Sequence, residues 1–132
     1  MSVIVRDDGF HPEDLAGAFA PPAANAHASA VDLGPDADPA EIALDGVQVI
    51  RIAFLNFADG RGFTLARRLR ALGFAGRLRA TGHVIADQYA MARRSGFDEV
   101  EISDDLAARQ PEGQWLARAD WKAHDYRSRL AG

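Results

Sequence analysis

The order in which strand-like and helix-like segments alternate between residues 47 and 103 restricts this chain to few folds. Residues 47–55 form a β-branched, nearly continuous apolar run, which is typical of a strand covered on both faces. Two more strands and three helices follow in alternation: strands over 77–81 and 98–102, helices over 64–72 and 84–95, and a helix capped by Ser103. Short connections in this order favour parallel strands joined by right-handed crossovers.

The first two predicted helices carry clear internal and terminal signals. Leu65, Leu69 and Leu72 share one stripe of the first helix, so this stripe is predicted to pack on the sheet. Gly73 and Gly96 follow the two helices directly, and glycine is the residue that most readily adopts the left-handed conformation at a helix end. The helices are therefore predicted to stop at these glycines.

These elements predict an α/β fold, a small parallel sheet with flanking helices in a three-layer or half-barrel arrangement. Residues 39–132 are predicted to form the single α/β domain, preceded by an irregular N-terminal arm over residues 1–38. The arm is rich in Pro, Ala and Asp and has few groups to bury. Within it, residues 29–33 have the pattern of a short edge strand.

Length and composition exclude several classes of protein. The chain has 132 residues, enough for one hydrophobic core, and 48% of them are hydrophobic. It has no apolar run long enough to cross a bilayer, and its first residues lack the apolar stretch of a secretory signal, so a cytoplasmic protein is expected. The cysteine count of zero excludes a disulfide framework, a thiolate metal site and a cysteine nucleophile.

The net charge of −4 conceals a basic band between acidic flanks. Residues 61–94 contain eight Arg and a single acid, Asp87, so this window carries +7 and the rest of the chain −11. One interpretation is a solvated helix face balanced by acidic neighbours within the fold. The other is an anion site or a docking face for an acidic partner. Nucleic acid is not expected as a partner, because the pI of the chain is about 5.5 and the band has no Lys.

Ligands of parallel α/β sheets bind where the loops leave the carboxyl ends of the strands. The first such loop, residues 56–63, contains Asp59, Gly60, Arg61 and Gly62, whose glycines allow a tight turn close to a ligand. It matches neither phosphate-binding fingerprint, so it does not indicate a nucleotide. The alternative interpretation is a strand-to-helix turn in which Asp59 accepts local backbone hydrogen bonds.

Two pairs of side chains elsewhere are candidates for chemistry. His83 and Asp87 stand four residues apart, so the carboxylate could orient the histidine as a general acid or base. A helix-terminal His beside a surface acid is the more common outcome of this spacing. Glu99 and Glu101 share one side of a strand. Exposed acids on an edge strand explain that pattern, and no functional site is needed to account for it. The histidines have no metal-ligand spacing, so no bound metal is predicted.

Several short motifs occur in an order that resembles a known family. They are Asp-Gly-Arg-Gly-Phe at 59–63, Leu-Arg-Ala at 78–80, Asp-Gln at 87–88 and Gly-Phe-Asp at 96–98. The chain is similar, over about residues 39–102, to an uncharacterised proteobacterial domain-of-unknown-function family that is encoded beside sulfite reductase and labelled as an oxidoreductase of sulfite reduction. It departs from the common pattern at Arg77, where an acid is usual, and at His83, where Asp is usual.

The resemblance implies a place in assimilatory sulfate and sulfite reduction, and two hypotheses follow. The first is an accessory protein that docks on sulfite reductase or its electron donor, with no cofactor of its own. The second is a small oxidoreductase-like enzyme acting on an anionic sulfur-containing or phosphorylated metabolite, in which Arg61 and Arg79 hold the anion and His83 or Asp87 moves a proton; a flavin held without a signature stays open. The residues expected to bind an anion or a partner are Asp59, Gly60, Arg61, Gly62, Arg79, Gly82 and Gln88.

Overall fold

Six strands form one mixed sheet in the computed structural model, which describes residues 2–15, 18–20 and 28–121. The strands are β1 (Ser2–Arg6), β2 (Gly9–Pro12), β3 (Ala30–Leu33), β4 (Val49–Phe54), β5 (Arg77–Gly82) and β6 (Glu99–Ser103), in the spatial order β2-β1-β6-β5-β4-β3. β3, β4, β5 and β6 are parallel, whereas β1 is antiparallel to both β6 and β2. The predicted α/β fold is confirmed, and so is the short edge strand within residues 29–33.

The N-terminal residues differ from the irregular arm that the sequence predicted. Val3, Ile4 and Val5 are too short a run to be recognised as a strand alone, but the antiparallel ladder with β6 satisfies their backbone groups. Gly9, at φ 122°, then allows the chain to reverse into β2. β1, β2 and β3 thus belong to the same sheet as the later strands. Residues 16–17 and 21–27 of the predicted arm lie outside the described residues.

Four α-helices follow the parallel strands within the described residues. They are α1 (Arg61–Ala71), α2 (Tyr89–Ser95), α3 (Asp104–Arg109) and α4 (Glu112–Leu116), with a 3₁₀ turn at Ala86–Gln88 ahead of α2. Gly73 and Gly96 follow α1 and α2 with φ of 98° and 113°, which confirms the predicted helix ends. The Ser103 hydroxyl accepts a hydrogen bond from the Leu106 N–H, so the predicted cap of α3 is confirmed as well.

The sheet has one apolar and one polar face because side chains alternate along each strand. Ile50, Ile52, Leu78 and Val100 pack with residues of the helices in a single core on the apolar face. The opposite face carries charged residues of the same strands, including Arg51 between the two isoleucines of β4. The described chain therefore has two layers of secondary structure rather than the three-layer or half-barrel arrangement expected, because β4 has a helix layer on only one of its faces.

Candidate functional site

The loops that leave the carboxyl ends of β4 and β5 meet at one edge of the sheet. The Nε2 atom of Gln88 donates to the carbonyl oxygen of Phe57 at 2.7 Å, and the Gln88 Oε1 atom accepts the Ile85 N–H at 3.0 Å. The Phe57 ring lies edge-on to the His83 imidazole, with ring centroids 5.1 Å apart. Gln88 thus ties the first loop to the second, so its contacts are internal ones.

The charge of Arg61 is matched within its own loop. Its Nε and Nη2 atoms donate to the two carboxylate oxygens of Asp59 at 2.9 Å each, and its backbone N–H donates to Asp59 Oδ1 at 3.1 Å. Hydrogen bonds from the Arg61 side chain and backbone hold the pKa of Asp59 below its ordinary value. The Arg61 side chain is 57% exposed, so it remains open to solvent although it is paired.

The glycines of the two loops serve the turns in different ways. A Cβ atom at Gly62 would lie 2.5 Å from the ring of Phe54, and one at Gly82 would lie 2.5 Å from the Phe54 carbonyl oxygen. Gly82 also has a φ of 97°, which side chains disfavour. Gly60, at the N-terminal end of α1, faces open space. Gly62 and Gly82 therefore let helix α1 and strand β5 approach β4.

His83 and Asp87 do not hydrogen-bond each other in the described part of the chain. His83 is exposed beside Phe57, whereas the Asp87 carboxylate accepts a hydrogen bond from Arg118 Nη2 at 2.8 Å. Asp87 therefore does not orient His83 through a hydrogen bond in the described part of the chain.

Arg79 lies at the centre of a cluster of charges on the polar face of the sheet. Its guanidinium is fully buried and donates to four carboxylates, those of Glu13, Asp14, Glu99 and Glu101. The distances are 2.7 Å to Glu13, 2.7 Å to Asp14 and 3.0 Å to Glu101. We call these five residues the Arg79 cluster. Burial lowers the pKa of Arg79, but the hydrogen bonds and charges of the carboxylates outweigh that effect and raise it above its ordinary value.

The Arg79 cluster corrects one interpretation of the sequence and limits one hypothesis. The sequence predicts Glu99 and Glu101 as exposed acids of an edge strand, and this is wrong: β6 lies inside the sheet and Glu99 is only 2% exposed. The sequence signal for the cluster is a pair of arginines two residues apart on one strand, Arg77 and Arg79, and a pair of acids at the same spacing on another strand. Because four carboxylates enclose Arg79, this side chain is not available to hold an external anion together with Arg61.

A cavity of about 320 Å³ opens at the carboxyl ends of β5 and β6, and we call it the edge pocket. Its polar wall includes Thr81, His83, Ser103 and Arg109, and Phe57 forms part of its apolar wall. Candidate residues from the second loop, Gly82 and His83, line it as well. Arg61 lines a different hollow, with Asp36, Thr64 and Arg68. The strand-end residues therefore divide between two hollows.

The helices α1 and α2 present a separate basic surface. Arg67 of α1 approaches the sulfur of Met91 on α2 at 3.8 Å, and Arg94 follows Met91 by one turn. We call Arg67, Met91 and Arg94 the helix patch. Met91 is 42% exposed, and within the described residues neither arginine has a carboxylate within ion-pair distance. The other six arginines of the basic band each pair with a carboxylate of this chain: Arg61, Arg68, Arg70, Arg77, Arg79 and Arg93.

The described residues contain neither a metal-ligand cluster nor a membrane-spanning helix. Over residues 2–15, 18–20 and 28–121, no three His, Asp or Glu side chains are grouped as metal ligands would be. None of the helices in these ranges has the length and apolar character needed to cross a bilayer.

The chain matches a protein-family model over most of its length. A family model described as a bacterial protein of unknown function (DUF934) matches residues 30–128, which include β3 to β6 and all four helices. None of the curated proteins matches the chain.

Proposed function

Since this chain belongs to the DUF934 family, bacterial proteins of unknown function, we propose that it is an accessory protein of sulfite reduction that docks on an acidic surface of sulfite reductase or of its electron donor. The helix patch is the docking surface in this proposal. The pathway comes from the resemblance of the motifs at 59–63, 78–80, 87–88 and 96–98, and the mode of action comes from the surface charge.

One observation carries the docking proposal, namely which arginines the fold leaves without an acidic partner. Arg67 and Arg94 belong to two different helices. Arg67 contacts the exposed thioether of Met91, and Arg94 lies one turn after Met91 on α2. Arginine and methionine are enriched at the centres of protein interfaces, because both combine a large contact surface with adaptable geometry. An acidic partner would supply the carboxylates that these two guanidinium groups lack within the described chain.

An accessory role also fits the side chains that the chain offers. It has no cysteine to ligate an iron–sulfur cluster, so a role in electron delivery is assigned to contact with a partner that carries the redox group. Charge complementarity between the two surfaces would speed their association and select the partner.

The test is capture of sulfite reductase or its electron donor from an extract of the source cells by the immobilised protein. We expect capture at low salt and its loss at about 0.3 M salt, where the Debye length is well below the roughly 10 Å of 0.1 M salt. Arg67→Glu/Arg94→Glu should abolish capture, because it reverses both charges of the helix patch.

Arg109→Glu is the control for each single reversal, Arg67→Glu and Arg94→Glu, since it reverses one exposed arginine that lines the edge pocket instead. Its capture should equal that of the unchanged protein. Absence of either partner from the low-salt fraction, or a loss for Arg109→Glu equal to that for each single reversal, would overturn the docking proposal.

A further inference from the structure

The edge pocket has the size and the mixed lining of a small-molecule site. Its volume of about 320 Å³ lies at the lower end of the range for ligand cavities, roughly 300–1,000 Å³. Phe57, Ile102 and Leu106 supply apolar wall, and polar side chains converge from two strand ends and from helix α3. It lies at the carboxyl ends of parallel strands, where ligands of such sheets bind.

The charge in this pocket favours an anion. Arg109 lines it and has no carboxylate within ion-pair distance among the residues that the structure describes. The carboxylate in the lining, Glu101, is already paired with two arginines. It accepts hydrogen bonds from Arg51 and Arg79 at 3.0 Å each and from the Thr81 hydroxyl at 3.1 Å. Asp104 and Asp105, in the first turn of α3, are not among the lining residues.

Several hydrogen-bond donors of the pocket are free to turn toward a ligand. The Ser103 oxygen accepts the Leu106 N–H at 3.1 Å, which leaves its hydroxyl proton available. His83 is exposed, and its ring contacts Phe57 in a T-shaped arrangement without using a ring nitrogen in a hydrogen bond within the described residues, so its ring nitrogens remain accessible. Arg109 adds the planar donor fork that suits a carboxylate or phosphate group.

We propose that the edge pocket binds a small organic anion, with its charged group on Arg109, His83 and Ser103 and its apolar part against Phe57. This site is separate from the helix patch and does not depend on docking. Its ligand class is a small molecule with one carboxylate, phosphate or sulfonate group and a short apolar body.

The experiment is an NMR titration of the ¹⁵N-labelled protein with phenyl phosphate and, separately, with inorganic phosphate. We expect saturable shifts at the amides of residues 81–83 and 103–106 with phenyl phosphate, and weaker binding of inorganic phosphate because it makes no contact with Phe57. Arg109→Gln should weaken phenyl phosphate binding at least about tenfold. Phe57→Ala should remove the preference for phenyl phosphate over inorganic phosphate.

Arg94→Gln is the control, because it removes an equally exposed charge from the helix patch and should leave binding unchanged. Arg109→Gln and Arg94→Gln both replace exposed side chains, and the amide spectrum of each variant verifies its fold before the titration. Absence of saturable shifts at millimolar concentration, shifts centred elsewhere, or equal weakening by Arg109→Gln and Arg94→Gln would overturn the proposal. None of these outcomes depends on capture of a protein partner, so the two proposals fail independently.

Discussion

Replacing Arg79 by Met is the most direct test of how the polar face is held together. The substitution keeps a long side chain but removes the guanidinium from four carboxylates. Removing one partner of a buried ion pair costs about 3–5 kcal/mol, because the other charge stays buried without compensation. The lower end applies to Arg79→Met, since Glu99 keeps Arg77 at 2.7 Å and Glu101 keeps Arg51 at 3.0 Å.

The dependence of this cost on pH identifies its origin. Burial raises the pKa of Glu13, but hydrogen bonds from Arg79 and from a backbone N–H lower it more, so the net pKa is below the ordinary 4.5. A lowered pKa stabilises the fold above the unfolded-state value, and this contribution is lost as pH falls through the folded-state value. Without Arg79, Glu13 loses a hydrogen bond and a charge that lower its pKa, so this pKa rises toward its ordinary value. The variant then loses less stability than the unchanged protein as pH falls. The difference in stability between the two proteins should therefore shrink from pH 7 to about pH 4.

Urea unfolding followed by circular dichroism at several pH values measures both effects. We expect a loss of about 3 kcal/mol at pH 7 for Arg79→Met. Arg67→Met, which removes an exposed arginine without an acidic partner in the described chain, should change stability by less than about 0.5 kcal/mol. Adding Glu13→Gln to Arg79→Met should recover part of the loss, because Arg79 is the arginine that Glu13 contacts in the described chain; the double variant keeps the experiment decisive if the single variant unfolds at pH 7. A loss below about 1 kcal/mol, or one that does not vary with pH, would refute the reasoning.

Three smaller predictions concern the helices and the acid limit of the fold. Ser103→Ala removes the hydroxyl that accepts the Leu106 N–H and should cost about 1 kcal/mol in urea unfolding. Gly62→Ala should cost about 1–3 kcal/mol although alanine favours helices, because its Cβ would lie 2.5 Å from the buried Phe54 ring; a rise in melting temperature would contradict this. The unchanged protein should lose stability as pH falls through the lowered pKa of Glu13, below 4.5, which an acid titration followed by circular dichroism checks.

The core and its helix ends were predictable because they depend on local patterns. β4 is recognisable from its β-branched run, and Gly73 and Gly96 end their helices through a backbone property of one residue. β1 was missed for the opposite reason. Its three apolar residues acquire a regular structure only by pairing with β6, about a hundred residues later in the chain. No local pattern carries that information.

The polar face was harder to foresee, because its covering residues come from a distant part of the chain. Glu13 and Arg79 are 66 positions apart, and the Phe19 ring lies 4.1 Å from the Arg51 guanidinium. Alternating acids on β6 look the same in the sequence whether water or an arginine lies above them. The position of β6 inside the sheet decides between these outcomes, and that position follows from the pairing of β1.

A count of charges along the sequence locates the basic band but not its unpaired arginines, because pairing depends on the fold. Most arginines of the band form ion pairs with carboxylates of the chain itself. Arg70 pairs with Asp98 at 2.9 Å, and Arg93 pairs with Asp7 at 3.1 Å. Within the described residues this pairing leaves two arginines of the band without a carboxylate, Arg67 and Arg94. Both lie on helices near the exposed Met91, and in the proposed docking this placement favours a specific contact over diffuse attraction.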